Sequence, residues 1–457
     1  MLDDSIRQAV IQIRDAAEAE GITAALGVHH EKSHLMRIGN NSVSLNTSED
    51  LTRLDIEVTI GRRQATHTQM GMIEGPETVR QALDIAIRKA EVACPKTYDP
   101  IPDRVEVTID EQDQYDSALA DVDPGYKADA YTEIFHRLGD HYNFSGSWSS
   151  GITEKFLVTT GSSEQVYHRG TDQLFTLVLK HPEKMWELSS TQTGWRLSDF
   201  SVDTTVEALK KLLPVYEEQK GFQVEPGEYT VLFGPDAVSE IVTMAVWTGL
   251  GGRGWEEKQS WTAKNKPGDR VLGENITIVD DPTDSDTFKF GFDGSGRKRS
   301  IFPLIEKGIL ENLMYDASTA ARYGGKPTGH DTGSTSIVLA TGDGPANPLE
   351  VLKGMGRVLW IPALHYVNIP SRSKGIFTGS SRFNAVLIED GEVISPIFSS
   401  RVTDSFDNVL SNVKILSSVA ESVNGSNTYG RRAPVAVSVP SYIVSEGVKI
   451  TDCAESF

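Results

Sequence analysis

Cysteine is almost missing from this chain: Cys94 and Cys453 are the only two in 457 residues, near opposite ends. Two thiols rule out a disulfide framework or a four-cysteine zinc site and suit a reducing compartment. No run of about 18 apolar residues occurs, so no membrane-spanning helix is expected. The opening "MLDDSIRQAV" is acidic and amphipathic, unlike a secretory signal. Basic charge is also short. Lys and Arg number 44 against 64 Asp and Glu, a net charge of -20. That balance argues against nucleic acid as the main partner, because phosphate binding needs a basic face. A cytoplasmic protein with neither nucleic-acid nor membrane partners is expected.

What is present is ordinary for a globular protein, 39% hydrophobic and 24% charged, and long enough for two domains. "LDDSIRQAVIQIRDAAEAEG" places Ile6, Ala9, Val10, Ile13, Ala16 and Ala17 on one helical face and stops at Gly21. Alternation follows in "SVSL", "RLDIEVTI" and "QATHT", the pattern of a strand meander. Further helices are predicted in "ETVRQALDIAIRKAEVAC", "AYTEIFHRLGDH" and "TVEALKKLLPVYEEQKG", the last interrupted or kinked at Pro214. "FQVEPGE" reads as an inter-domain joint. The expectation is an α+β protein of two domains. Residues 1–222 form an α/β domain with a mostly antiparallel sheet, and residues 223–457 a strand-rich one. In the second, Asp390-Gly391 within "LIEDGEVI" signals a hairpin.

Three segments invite a chemical reading. "HEKSH", His30 to His34, matches the His-Glu-x-x-His of zinc peptidases, where a helix sets both histidines on one face. Its flanks alternate like strands, and Glu31-Lys32-Ser33 reads as a polar hairpin tip. The match is therefore read as chance, although a turn there would bring the histidines together. "GLGGRGW" follows a helix and lacks the Lys-Ser/Thr of a phosphate loop. "GFDGSGRKRS" reads as a solvated turn rather than an anion nest. His330, in "KPTGHDTG", is the histidine of most interest, since it sits in a glycine-flanked loop. No nucleophile, metal site or cofactor loop emerges from the residues alone.

The ordered set "LDIEVTIGRRQATHTQM", "VRQALDIAIRKA", "FDGSGRKRSIFPLIEKGILENLMYDASTAARYGGKPTGH" and "AVLIEDGEVISPI" resembles the TldD/PmbA family, whose two subunit types form a heterodimeric metallopeptidase. The resemblance implies where a zinc site belongs. In the TldD-type subunit, the helix before a Gly-Leu-x-Gly carries His-Glu-x-x-x-His. Laid on Gly249-Leu250-Gly251-Gly252, those positions here hold Thr243, Met244 and Thr248. Threonine is a poor zinc ligand and methionine cannot activate water. The chain is thus similar to the TldE (PmbA) type, which binds no metal.

That likeness implies no cofactor on this chain, zinc on a TldD-type partner, and an extended peptide as substrate, including leader regions of ribosomal peptide natural products. Gly251, Gly252, His330, Thr378, Gly379 and Arg382 are the candidates for a shared peptide cavity. A stand-alone peptide-binding scaffold is the alternative reading, and a peptidase built on "HEKSH" a third.

Overall fold

The computed structural model describes residues 2–333, 335–426 and 431–457. Helix α1 (Asp4–Ala19) begins at Asp3, whose carboxylate accepts the Ser5 N–H, and buries Ala9, Val10, Ile13 and Ala17. Strands β1 (Thr23–Gly39), β2 (Ser42–Ile60) and β3 (Arg63–Met70) then form an antiparallel meander. Asn40 and Asn41 turn β1 into β2 with φ of 52° and 62°, left-handed values that asparagine tolerates well. Helix α2 (Pro76–Val92) packs beside α1. After β4 (Ile109–Glu111), α3 (Ser117–Ala120) and α4 (Pro124–Leu138) come β5 (Asn143–Thr159), β6 (Gln165–Lys180), β7 (Glu187–Gly194) and α5 (Val202–Glu218). The sheet order is β3-β2-β1-β5-β6-β4, with β7 also on β6, and only β4 runs parallel to its neighbour.

Four of these strands are long: 17, 19, 17 and 16 residues for β1, β2, β5 and β6. At about 3.3 Å per residue each spans some 55 Å, roughly twice the length of a 17-residue helix. One pair of helices cannot cover them. Side chains of one sheet face therefore enter two separate cores. Leu26, Val28, Leu54, Ile56, Phe156 and Val158 pack with α1 and α2. Further along, Met36, Ile38, Phe144, Trp148, Phe175 and Leu177 pack with residues of α4 and α5. Between the cores the strands are polar.

The polar stretch is where the sequence misleads. No hairpin tip forms at Glu31-Lys32-Ser33. Strand β1 continues unbroken, with His30 opposite Thr52 on β2 and Glu154 on β5, and His34 opposite Ser48 and Ser150. Its polarity marks the gap between two cores, not the end of a strand. The interruption expected at Pro214 is also missing. Helix α5 runs through it, held by buried Leu209, Leu212 and Tyr216 on both sides of the proline.

Strand β8 (Gly227–Phe233) passes through Gly234 into helix α6 (Pro235–Gly249). Two sheets surround α6. The nine-stranded one orders Leu364–Ser371, Ile376–Ser381, Ser400–Ser405, Ile443–Cys453, β8, Arg357–Ile361, Val386–Glu389 and Glu392–Pro396, with Val413–Leu416 also on Ile443–Cys453. The six-stranded one includes Ile278–Asp280, Phe302–Glu306, Ile337–Leu339 and Ala436–Pro440. The expected hairpin is present, Asp390 and Gly391 taking φ of 50° and 86°. The second core is shared, since Leu232, Val358, Val386 and Tyr442 join Trp148 and its neighbours.

Trp148 is fully buried against Tyr131, Phe175 and Phe200 and donates Nε1–H to Gln173 Oε1 at 3.0 Å. Trp148→Ala is expected to cost about 3–5 kcal/mol, read as a lower midpoint in denaturant.

Candidate functional site

Helix α6 is apolar nearly all round. Ala237, Val238, Ile241, Val242, Ala245 and Val246 are buried, as a helix between two sheets requires. Thr243 and Met244 are half-buried near its carboxyl end, and Trp247 is exposed with the Arg372 guanidinium 4.2 Å from its ring. Thr248 donates its hydroxyl to the Met244 carbonyl at 2.6 Å, so its oxygen is turned to its own helix. Met244 packs against the core. These three side chains offer no set of donors that would hold a metal.

The glycines that follow have a mechanical reason. A Cβ on Gly249 would lie 2.0 Å from Trp261 Nε1, which donates to the Ala245 carbonyl. A Cβ on Gly252 would lie 2.5 Å from the Tyr315 ring. Gly252 N–H binds the Met314 carbonyl and Met314 N–H the Leu250 carbonyl, so Gly251 and Met314 form an isolated parallel bridge between two loops. Gly251 faces Thr332 of the loop that holds His330. The burst of glycine is a packed junction.

His330 is fully buried. Its Nδ1 lies 2.6 Å from Asp280 Oδ2, while Asp280 Oδ1 takes Arg299 at 2.5 Å and the Ser336 N–H at 2.6 Å. Its ring stacks on Phe302 at 4.4 Å. Gly251, Gly252 and His330 thus share one neighbourhood through Met314, Tyr315 and Thr328. The other three candidates lie elsewhere. Thr378 and Gly379 are on the strand Ile376–Ser381, where Thr378 bonds the Thr403 hydroxyl at 2.9 Å. Arg382, just beyond, pairs with Glu187 at 3.3 Å and borders a cavity of about 320 Å³ with Tyr216 and Phe383. The turn expected in "GFDGSGRKRS" is present, with Asp293 accepting the Ser295 and Arg297 N–H groups.

In "HEKSH" both histidines and Glu31 have partners of their own. His30 Nδ1 lies 2.8 Å from Glu154 Oε2 and its Nε2 3.0 Å from Asp50; His34 meets Ser48. Glu31 points to the opposite sheet face, where it takes Arg53 and the Arg432 N–H, both at 2.8 Å, with His29 at 3.1 Å. Arg432 in turn forks onto Asp172 at 2.8 and 2.7 Å. Among the described residues no group of three or more His, Cys, Asp or Glu is arranged to hold a metal. These buried charges join positions far apart in sequence and left no local signal; only the alternation of polar types along β1 and β5 hinted at them.

Electrostatics follow from these contacts. Burial alone would raise the carboxyl of Glu154, but His30, the Tyr167 hydroxyl and the Leu2 N–H outweigh it and hold it at about 2. Burial likewise opposes Glu31, which His29, the Arg432 N–H and Arg53 bring down to about 2. Burial works against charge on His30 too, yet Glu154 and Asp50 raise its pKa.

Residues 226–452 match the model of the PmbA/TldA metallopeptidase C-terminal domain. Over 210 residues the chain is 24% identical to the zinc metalloprotease TldD homolog of Saccharolobus solfataricus, covering 45% of this chain and 42% of that protein. Over 160 residues it is 26% identical to a metalloprotease of Methanothermobacter thermautotrophicus, covering 32% and 34%. The chain spans less than half the length of the curated relatives it matches. In fold the likeness is nearly complete. TldE from Thermococcus kodakarensis superposes with a TM-score of 0.82 at 17% identity, over 97% of this chain and 100% of that one. A putative modulator of DNA gyrase from Bacteroides thetaiotaomicron gives 0.80 at 15% identity, over 99% and 100%.

Two outcomes follow. A carboxyl held low stabilises the fold fully above its unfolded value and loses that contribution as pH falls through its folded one. The chain should therefore lose stability between about pH 4.5 and pH 2, and Glu154→Gln should flatten that loss in pH-dependent denaturation. Gly249→Ala should lower the unfolding temperature by several degrees in calorimetry, since indole and Cβ cannot share the space.

Proposed function

The chain belongs to the PmbA/TldD family, and on that premise we propose that it is the TldE-type, non-catalytic subunit of a two-chain zinc metallopeptidase acting on unfolded or extended peptides. The observation that carries this reading is the carboxyl end of α6. Thr243, Met244 and Thr248 stand where the TldD-type resemblance places two histidines and a glutamate, and Thr248 is engaged with its own helix. Zinc and the attack on the peptide bond then belong to a TldD-type partner, with this chain completing the cavity. Residues 1–222 and 223–457 act in this reading as two domains. Thr378 and Gly379 lie on a strand paired on both sides, and Arg382, just beyond it, borders a cavity that in this reading takes part of the peptide. Gly251, Gly252 and His330 shape the neighbouring junction.

A free strand edge supports partnership. Strand β3 covers only Arg53–Ile60 of β2, so Ser42–Leu51 has no strand on its outer side among the described residues. Val43 and Leu45 are exposed there at 48% and 43%. An uncovered edge of ten residues without proline or lysine is suited to pairing with another chain.

Reconstitution tests the proposal. The purified chain alone should leave a reduced, alkylated protein intact, and adding the TldD-type chain of the same genome should start cleavage. Val43→Lys with Leu45→Lys should lower both association and cleavage without shifting the unfolding temperature by more than a few degrees. Efficient hydrolysis by the unmodified chain alone would sink the proposal, and the lack of any complex would favour a stand-alone peptide-binding scaffold.

A further inference from the structure

The first sheet has a second face, opposite helices α1 and α2, and it is charged. His29 on β1 stands between Arg53 on β2 and Lys155 on β5, and Gly27 between Asp55 and Leu157. A loop carrying Phe290 and Phe292 covers this face and leaves a cavity of about 260 Å³ above Gly27. Most charges around it are already matched. Asp55 takes Arg431 at 2.8 Å and the Thr68 hydroxyl at 2.6 Å, Glu57 accepts from Gln64, and Asp293 caps its own turn. Lys155 and Asp103 are the exceptions. Both side chains line the cavity, yet neither makes a hydrogen bond or ion pair among the described residues; Asp331 acts on Lys155, and Arg297 and Lys96 on Asp103, without direct contact. Lys155 has only the Phe290 ring, 4.1 Å from its Nζ.

We propose that this cavity binds a small apolar zwitterion, a free α-amino acid or a dipeptide, with its carboxylate on Lys155, its ammonium on Asp103 and its side chain against Phe290 and Phe292. Two opposite charges that face one cavity without meeting call for a ligand that carries both complements and fits between them. The state of the two groups agrees. Burial, helped by the nearby Arg431, brings Lys155 down to about 8. Burial and the neighbouring Glu57 push Asp103 up to about 7. Burial disfavours the charged form of each, and an opposite charge delivered by a ligand favours it. The volume suits one or two residues, below that of most drug-sized sites. The site lies wholly within this chain and does not rest on the proposed partnership.

The test is isothermal titration calorimetry of the full chain near neutral pH with L-phenylalanine, L-leucine and the dipeptide Leu-Leu. N-acetyl-L-phenylalanine and L-phenylalaninamide, each lacking one charge, are the controls. At least one zwitterion should bind, and both capped forms at least about tenfold more weakly. Gly27→Leu should abolish binding while the protein stays folded, because a Cβ there meets nothing closer than 3.5 Å and the longer side chain grows into the cavity. Lys155→Met, which keeps the methylenes and removes the charge, should also abolish it. Failure of all three zwitterions to bind at millimolar concentration overturns the proposal. So does equal binding of the capped forms, or undiminished binding by both folded variants.

Discussion

Strands of 16 to 19 residues are too long for one helical layer, and much else in this protein follows from that mismatch. Two cores form on the same sheet face, one under α1 and α2 and one beside α4 and α5. Between them lies a polar waist, reached only by the short α3 and by Lys127 of α4, which donates to Ser150. Buried charge is costly unless paired and hydrogen-bonded, so the waist is filled with matched groups. His30 with Glu154 serves one face, and Glu31 with Arg53 and Arg432 the other. Arg432 comes from the far end of the chain and also clasps Asp172, so the same pairing that settles the waist ties the carboxyl-terminal half to the first sheet.

The waist explains a motif that looks catalytic. "HEKSH" has the letters of a zinc site because a strand crossing between two cores needs polar residues there, and histidine beside glutamate meets that need. Strand geometry then sends Glu31 to one face and His30 and His34 to the other. At the carboxyl end of α6 the contrast is complete. That helix lies deep between two sheets, and its last turn is locked by Trp261, Tyr315 and the Met314 backbone. The side chains at the end of α6 pack and bond within the fold: Met244 packs against the core and the Thr248 hydroxyl is bonded to its own helix.

Legibility tracked the range of the interactions. The periodicity of α1 and α2, and the Asp390-Gly391 hairpin, are local signals and stand where the sequence places them. The continuity of β1 through Lys32 was not legible, since pairing with β5 across more than a hundred residues overrides the local polarity. The interruption at Pro214 is absent for a similar reason, buried contacts on both sides of it carrying the helix through. Of the six cavity candidates, Gly251, Gly252 and His330 fall in one place, and Thr378, Gly379 and Arg382 in others. The cavity beside Lys155 was not legible, although Phe292, Asp293 and Gly294 of its lining lie in "GFDGSGRKRS", because it is closed by a loop some 135 residues further along the chain.

The central proposal is that this chain is a partner in chemistry done by another chain. Native mass spectrometry of the protein drawn gently from its own host, with metal quantified in each species, addresses that claim most directly. The account predicts a near-equal second chain and one zinc per pair, retained by the second chain after dissociation. Zinc held by this chain alone would contradict it and return attention to His30 and His34.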